Sequence, residues 1–255
     1  MLPQPELKKP VTAVRRAARI LRYLGRSGTP AGVNQIARDL DIIPSTCLHI
    51  LRALAQDSLV AFNSTTKKYR LGHAVLGLAR DSLANSTFVQ DVQPHLKDLA
   101  VGHGVTVTAA ELDANDHMVV VALAHAPQTL SIHVDVGSRF PSLISASGRC
   151  YAALSGWSEH ELAEKFSKLQ WENPPDYETW RAEVAAAGRN GYAADYGNYL
   201  RGFVVAAAPI RDSEGYPTRA IATVGFLEQL SSTQVLALAK DVKIAADRLT
   251  PERFH

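Results

Sequence analysis

The sequence predicts an α+β chain in two parts, a small basic winged helix-turn-helix followed by a larger body in which strands and helices alternate. Three observations carry this. Apolar stripes at helical spacing recur three times between residues 14 and 54, and a short hairpin follows them. Charge is segregated: residues 1–85 hold 13 of the 27 Lys+Arg but only 5 of the 25 Asp+Glu, which leaves 14 against 20 for the rest. Beyond residue 104, apolar runs of strand composition are separated by helical segments with cap signals. With 255 residues, 46% of them hydrophobic, the chain can build two cores.

In the head, Val14, Ala17, Ala18 and Leu21 recur at i, i+3, i+4 and i+7, so this segment is expected to be a helix that buries that stripe. Arginines 15, 16, 19, 22 and 26 fall mostly elsewhere, as a solvated face or as phosphate contacts. Gly28-Thr-Pro30 stops the helix. Val33, Ile36, Ala37 and Leu40 repeat the spacing in a shorter helix that ends at Asp41-Ile42, and Pro44 opens a third. Two helices joined by so short a turn must cross steeply.

The third helix has two faces. Cys47, Ile50, Leu51 and Leu54 form the apolar one, while Ser45, His49, Arg52 and Gln56 share the other. Ser45 and Thr46 near the helix start suit phosphate, and Arg52 suits a guanine edge in the major groove. A polar face by itself says no more than that the helix is wet. What decides is the agreement with the next element, Leu59-Val-Ala-Phe62 and Lys68-Tyr-Arg-Leu71 around a tip of Asn63-Ser-Thr-Thr-Lys67. That hairpin is a wing with Lys67 and Lys68 at its end, and helices, wing and positive charge together point to double-stranded DNA.

Val75, Leu76, Ala79 and Leu83 make an amphipathic linker helix, and Phe88, Val92, Leu96 and Leu99 another. The body then reads as strands at Val105–Leu112, Met118–Ala124, Leu130–Val134, Phe203–Ile210 and Ala220–Gly225. Helices are expected over Ser147–Leu154, Ser158–Phe166, Tyr177–Asn190 and Ser231–Leu249. Ser158/Glu161 and Ser231/Gln234 have capping-box spacing, Gly191 suits the position past a helix end, and Asp212-Ser-Glu-Gly215 a tight turn.

Several functions are disfavoured. The N-terminus lacks the apolar core of a signal peptide and no run approaches the roughly 20 apolar residues of a membrane span, so a cytoplasmic protein that does not contact membrane is expected. Cys47 and Cys150 have no disulfide or metal spacing and read as reduced and partly buried. None of the sharp catalytic or phosphate-loop motifs is present, so no enzyme and no cofactor is expected; a catalytic α/β body with an accessory nucleic-acid head is the rival reading. His125 and His133, with Asp135, flank one turn, but nothing supplies further metal ligands, and hydrogen-bonded or solvent-facing histidines are the plainer reading. Trp157, Tyr196 and Tyr199 can stack on an aromatic ligand or simply pack. Ala146-Ser147-Gly148 lies where a loop enters a helix, so its N–H groups and the helix dipole can hold a carboxylate; an ordinary helix start has the same sequence.

The run from Val33 to Leu54, followed by Lys68-Tyr-Arg-Leu-Gly72, resembles the DNA-binding domain of IclR-type regulators. Val136-Gly-Ser-Arg-Phe-Pro141, Ser145-Ala-Ser-Gly-Arg-Cys-Tyr-Ala-Ala153, Gly191-Tyr-Ala-Ala-Asp195 and the segment Gly202–Asp212 resemble that family's ligand-domain landmarks, in order, so the likeness spans roughly residues 11–249. Where the family has an arginine in the recognition helix this chain has His49, and where it has a glutamate after the Gly-Tyr motif this chain has Asn198. The resemblance implies a DNA-binding domain over 1–72, a linker helix over 73–86 and an effector domain over 87–255 with a GAF-like antiparallel sheet. It also implies a homodimer or dimer of dimers on operator DNA. Ligand-contacting positions map onto Ala146, Ser147, Asp195, Val205, Thr223 and Gly225, with Leu130 and Ile132 as a further wall or ordinary strand core. This mix implies a small, partly apolar organic or aromatic acid as effector.

Overall fold

The computed structural model describes residues 11–127 and 134–251. These divide into two compact units that meet in sequence at Asn85/Ser86, and each is taken by itself.

The first unit comprises α1 (Thr12–Ser27), β1 (Ala31–Gly32), α2 (Val33–Asp39), α3 (Pro44–Gln56), β2 (Val60–Asn63), β3 (Lys68–Leu71) and α4 (Ala74–Ala84). α1 ends at Gly28, whose φ of 61° a side chain would resist. α3 opens on Pro44, where the missing N–H costs nothing. Ile36, Ala37, Cys47, Leu51 and Leu54 are buried as the periodicity of α2 and α3 requires. α1 differs from expectation. Its buried residues are Ile20 and Leu24, with Ala17 and Leu21 half-buried, whereas Val14 is 66% exposed. The buried stripe is the same template shifted one turn along, because α1 packs on α3 and β3 through its C-terminal half. The three strands form a small antiparallel sheet, β1-β3-β2. α4 buries none of its residues, and Leu76 and Leu78 are largely exposed.

The second unit is a six-stranded antiparallel sheet in the order β6-β5-β4-β9-β8-β7, formed by β4 (Thr106–Leu112), β5 (His117–Ala124), β6 (Arg139–Pro141), β7 (Ala193–Tyr196), β8 (Phe203–Arg211) and β9 (Pro217–Phe226). α5 (Thr87–His103) and α9 (Ser232–Leu249) bury Val92, Leu96, Leu238 and Val242 against one face, where they meet Val107, Ala206, Ala208 and Ile221. On the other face lies α6 (Ser145–Leu154), backed by α8 (Tyr177–Asn190) and flanked by α7 (Glu159–Ser167). Trp180, fully buried, centres the small core that α8 shares with α7.

The capping boxes at α7 and α9 both form, Gly191 ends α8 with φ 74°, and Asp212 folds the β8–β9 turn by accepting from the N–H groups of Glu214 and Tyr216. The antiparallel sheet covered by helices on both faces agrees with the expected α+β fold, and β6 and β7 are strands that composition did not announce. The expected strand at Leu130–Val134 lies, but for Val134, outside the described residues.

Ser231→Ala removes one half of the α9 box, in which Ser231 Oγ accepts from the Gln234 N–H and Gln234 Oε1 accepts from the Ser231 N–H. It is expected to lower stability by about 1 kcal/mol in urea unfolding, with an unchanged denaturant slope.

Candidate effector pocket and DNA-reading face

Within the second unit a cavity of about 70 Å³ lies between the sheet and the start of α6. That is roughly five times the space one water needs. A strand turns alternate side chains to opposite faces, so the wall is made by Thr108 and Ala110 of β4, Val120 of β5, Val205 of β8, and Ala222 and Val224 of β9. Ile144, Ser145 and Ser147 close the far side, and Phe140, Tyr199 and Leu200 complete it. Tyr199 meets Phe140 edge to face at 6.2 Å, and burial together with Glu172 holds its phenol above the ordinary value, so it is a neutral hydroxyl at neutral pH.

The start of α6 is unusual in three ways. No side chain caps it and its first turn has no acidic residue, so its leading N–H groups and the positive end of the helix dipole are not neutralised. Ser145 has φ 60°, a left-handed conformation that costs a non-glycine residue about 1–3 kcal/mol unless the surroundings impose it. Its Oγ is buried without a hydrogen-bond partner. The surroundings do impose the geometry. The backbone of Leu143 crosses α6 so closely at Gly148 that a Cβ there would lie 1.9 Å from the Leu143 carbonyl carbon.

Next to the cavity Arg149 is fully buried. Its Nε donates to Glu183 at 2.6 Å, one terminal nitrogen to Asp195 at 2.9 Å and the other to Asn198 Oδ1 at 2.9 Å, with its guanidinium 5.8 Å from the Trp171 ring centre. The other oxygen of Asp195 accepts from the N–H groups of Asn198 (3.0 Å) and Tyr199 (3.4 Å). Every carboxylate oxygen of this buried residue is therefore committed within the protein.

Of the positions singled out from sequence, Ser147 and Val205 line the cavity. Ala146 packs instead with Cys150, Ala187 and Ala207, although its residue lies in the first turn of α6. Asp195 is held by Arg149. Thr223 and Gly225 belong to the other face of β9: Thr223 Oγ1 bonds the Ala206 backbone, and a Cβ on Gly225 would meet Leu230 and Val105 in the α5/α9 core. Leu130, Ile132 and His133 lie outside the described residues. His125 bonds Thr106 Oγ1 at 3.2 Å, and among the described residues no three His, Cys, Asp or Glu side chains are placed to hold a metal. Of the aromatic candidates only Tyr199 reaches the cavity; Trp157 packs on Tyr151 and Tyr196 is exposed. Burial pushes the Cys150 thiol up to about 12, which leaves it an inert packing group.

Sequence reasoning missed Ser145, Phe140 and Arg149. The family-like landmark around Ser145 was a signal for the first and last, but neither the left-handed backbone nor the ion pair across 46 residues is written in local pattern.

In the first unit Ser45, His49, Arg52 and Gln56 are all exposed along one side of α3, with Thr46 half-buried beside them. Arg52 and Gln56 share a concave surface with Phe62 and Lys67 of the wing. Asn63 Oδ1 shapes the wing tip by accepting from the N–H groups of Thr65 and Thr66, both at 2.9 Å. Lys67 takes φ 56° at that tip, and Lys68 follows it, exposed. Phe62 and Tyr69 stack across β2 and β3 at 4.7 Å and stiffen the ribbon that carries both lysines.

Among the described residues no helix is long and apolar enough to cross a membrane. The model of the IclR helix-turn-helix domain matches residues 13–64, and that of the bacterial transcriptional regulator IclR C-terminal domain matches residues 81–250. The chain is 25% identical over 248 residues to the HTH-type transcriptional repressor AllR of Escherichia coli K12, covering 95% of this chain and 90% of that protein. The AllR of Klebsiella pneumoniae is also 25% identical, over 256 residues, 98% of this chain and 86% of that one. In structure it is similar to an IclR-type regulator from Alicyclobacillus acidocaldarius (TM-score 0.85, 22% identity, 94% of this chain and 98% of that one). A second structural relative is an IclR homologue from Microbacterium hydrocarbonoxydans complexed with 4-hydroxybenzoate (TM-score 0.75, 22% identity, 93% and 98%). These relatives are regulators, and none supports the rival catalytic reading.

Asp195→Ala leaves Arg149 buried beside only one partly exposed carboxylate, and is expected to destabilise the second unit by about 3–5 kcal/mol in chemical unfolding, a loss of structure rather than of a ligand contact. Arg52→Ala is expected to weaken operator binding by about 1–3 kcal/mol and relax base preference, whereas Lys67→Ala weakens all sequences alike and reduces the salt slope by about 1, both read by fluorescence anisotropy at several salt concentrations.

Proposed function

This chain belongs to the IclR family of bacterial transcriptional regulators, and we propose that it controls the catabolism of a small organic or aromatic acid that it senses in the cavity of its second unit. It is a ligand-responsive regulator of transcription with a DNA-binding helix-turn-helix. In this reading it acts in the cytoplasm, with residues 1–72 as the operator-binding head, 73–86 as linker and 87–255 as effector domain. Ser45, Thr46, His49, Arg52, Lys67 and Lys68 form the DNA surface.

One observation carries the effector assignment. An uncapped helix N-terminus and the partnerless, buried hydroxyl of Ser145 border a cavity whose other walls are mostly apolar. Such a site holds a carboxylate by charge and hydrogen bonds and an apolar body by burial. The complex of a structural relative with 4-hydroxybenzoate is in keeping with an acid of this size. Ala146 contributes through its backbone N–H.

The regulator works as a homodimer or a dimer of dimers on a near-palindromic operator. The exposed Leu76 and Leu78 of α4 support this, since apolar side chains of that size are costly to leave in water. Effector binding shifts a population between two head spacings, and the operator distinguishes them.

Anisotropy titration of the DNA upstream of its own gene, with nonspecific competitor at fixed salt, tests this. Tight, competitor-resistant binding that one acid shifts is the expected result. Binding that is indifferent to sequence and to every acid removes the proposal. Ser147→Trp fills the cavity and is expected to abolish the acid response with operator affinity retained; a variant that responds normally places the effector elsewhere.

A further inference from the structure

We propose that residues 199–201 are a gate over the cavity, swinging between Asn198 and Gly202, and that the Glu172 carboxylate is its latch. This rests on the reading of the cavity as the effector site and adds how a small molecule reaches it.

Part of the cavity wall is neither strand nor helix. Tyr199 and Leu200 line it from the segment between β7 and β8, residues 197–202, which has no regular secondary structure. Gly197 and Gly202 bound that segment with φ of 81° and 80°, a left-handed backbone that glycine adopts without steric cost. By contrast Thr108, Val120, Val205 and Ala222 sit in strands paired on both sides, so that wall cannot yield without breaking the sheet.

The two ends of the segment are pinned and its middle is not. At one end the Asn198 N–H donates to Asp195 at 3.0 Å and its Oδ1 accepts from buried Arg149 at 2.9 Å. Asn198 also exchanges bonds with Asn173, whose N–H donates to the Asn198 carbonyl at 3.0 Å while Asn198 Nδ2 donates back at 3.2 Å. At the other end the Gly202 carbonyl accepts from the Leu227 N–H at 2.8 Å. Between them the main-chain bonds are long. The Tyr199 N–H reaches Asp195 at 3.4 Å, the Glu172 N–H reaches the Tyr199 carbonyl at 3.4 Å, and the Phe203 N–H reaches the Leu200 carbonyl at 3.3 Å. Such lengths lie beyond the usual range and hold weakly.

Among the described residues one short bond ties down this middle part, from the Arg201 N–H to Glu172 Oε2 at 2.8 Å. The Arg201 guanidinium adds a longer bond to the Glu172 carbonyl at 3.4 Å. Glu172 and Arg201 are both exposed, so when the latch parts, water takes up donor and acceptor at once. Opening leaves the buried Asp195–Arg149 pair and the Asn198 anchors in place. Closing returns Tyr199 to its edge-to-face contact with Phe140 across the cavity mouth. A segment with few strong bonds between two fixed points is where local opening costs least, and binding sites draw their entrances from such segments.

A thiol placed inside the cavity reads its accessibility without an effector. Val205→Cys puts one on β8, where the native side chain is 9% exposed, and Thr108→Cys on β4 serves if that variant does not fold. Methyl methanethiosulfonate, small and uncharged, is added to the full-length protein, and modification is followed by mass spectrometry against the chain without the reporter, whose two thiols are buried. When reclosing outpaces reaction, the rate is proportional to the open population. Glu172→Ala is expected to raise the rate about five- to tenfold, the effect of losing one hydrogen bond to a carboxylate near the surface, while Glu172→Gln keeps an acceptor and stays close to the parent rate. Urea midpoints are expected to be the same in all three. Equal rates with and without the Glu172 carboxylate overturn the gate, as does a reporter modified as fast as a free thiol, since a cavity that is always open has no gate. A faster rate matched by an equal loss of global stability also overturns it, because the reagent then enters through unfolding. Each of these outcomes leaves the effector assignment standing, which the Ser147→Trp response decides separately.

Discussion

The close approach of the Leu143 backbone to Gly148 is the constraint on which the site in the second unit depends. Any side chain at 148 would collide with main chain, and main chain cannot move aside as the tip of a lysine can. With the glycine there, the segment after β6 can fold back over the first turn of α6, which puts Ser145 into a left-handed backbone conformation and leaves its hydroxyl without a partner. The strain and the orphaned hydroxyl are costs to stability. They make sense where a ligand with a negative charge recovers them, and the uncapped start of α6 adds a favourable potential for such a group.

Sheet geometry does the rest. Alternation along β9 sends Ala220, Ala222 and Val224 to the cavity and Ile221 into the core beneath α5 and α9. The cavity is thus apolar for the same reason that the opposite core is: both faces of the sheet are covered by helices. The buried Arg149 group differs in kind. It is an internal ion-pair network that holds α6, α8, β7 and the segment after it in one arrangement, with the single guanidinium of Arg149 shared between the carboxylates of Glu183 and Asp195. In the first unit the proposed DNA surface follows from the opposite logic, since the side of α3 not needed for the core stays in water and carries Ser45, His49, Arg52 and Gln56.

Much of this was legible in the sequence because it is periodic or local. The stripes of α2, α3 and α5, the two capping boxes, the Gly191 helix end and the Asp212 turn are each decided within a few residues, and they fold as their pattern requires. α1 shows the limit of periodicity: the spacing held, but which turn meets α3 is a tertiary matter, so Val14 is exposed and Ile20 buried. β6 and β7 are too short, at 3 and 4 residues, to produce an alternation, and exist because long neighbours offer them an edge. In the site, Ser147 and Val205 could be placed from the resemblance. Thr223 and Gly225 depend on strand parity, and a one-residue step reverses the face. The engagement of Asp195 by Arg149 links residues 46 apart in sequence, and no local signal announces it.

The central claim is that an acid in this cavity and operator DNA on the head are thermodynamically coupled. Reciprocity makes the direct test a pair of titrations on one sample: the affinity for operator with and without saturating acid, and the affinity for the acid with and without saturating operator. Coupling predicts that the two ratios are equal and differ from one, and that both collapse to one in Ser147→Trp. Operator and acid affinities that are each indifferent to the other would contradict it.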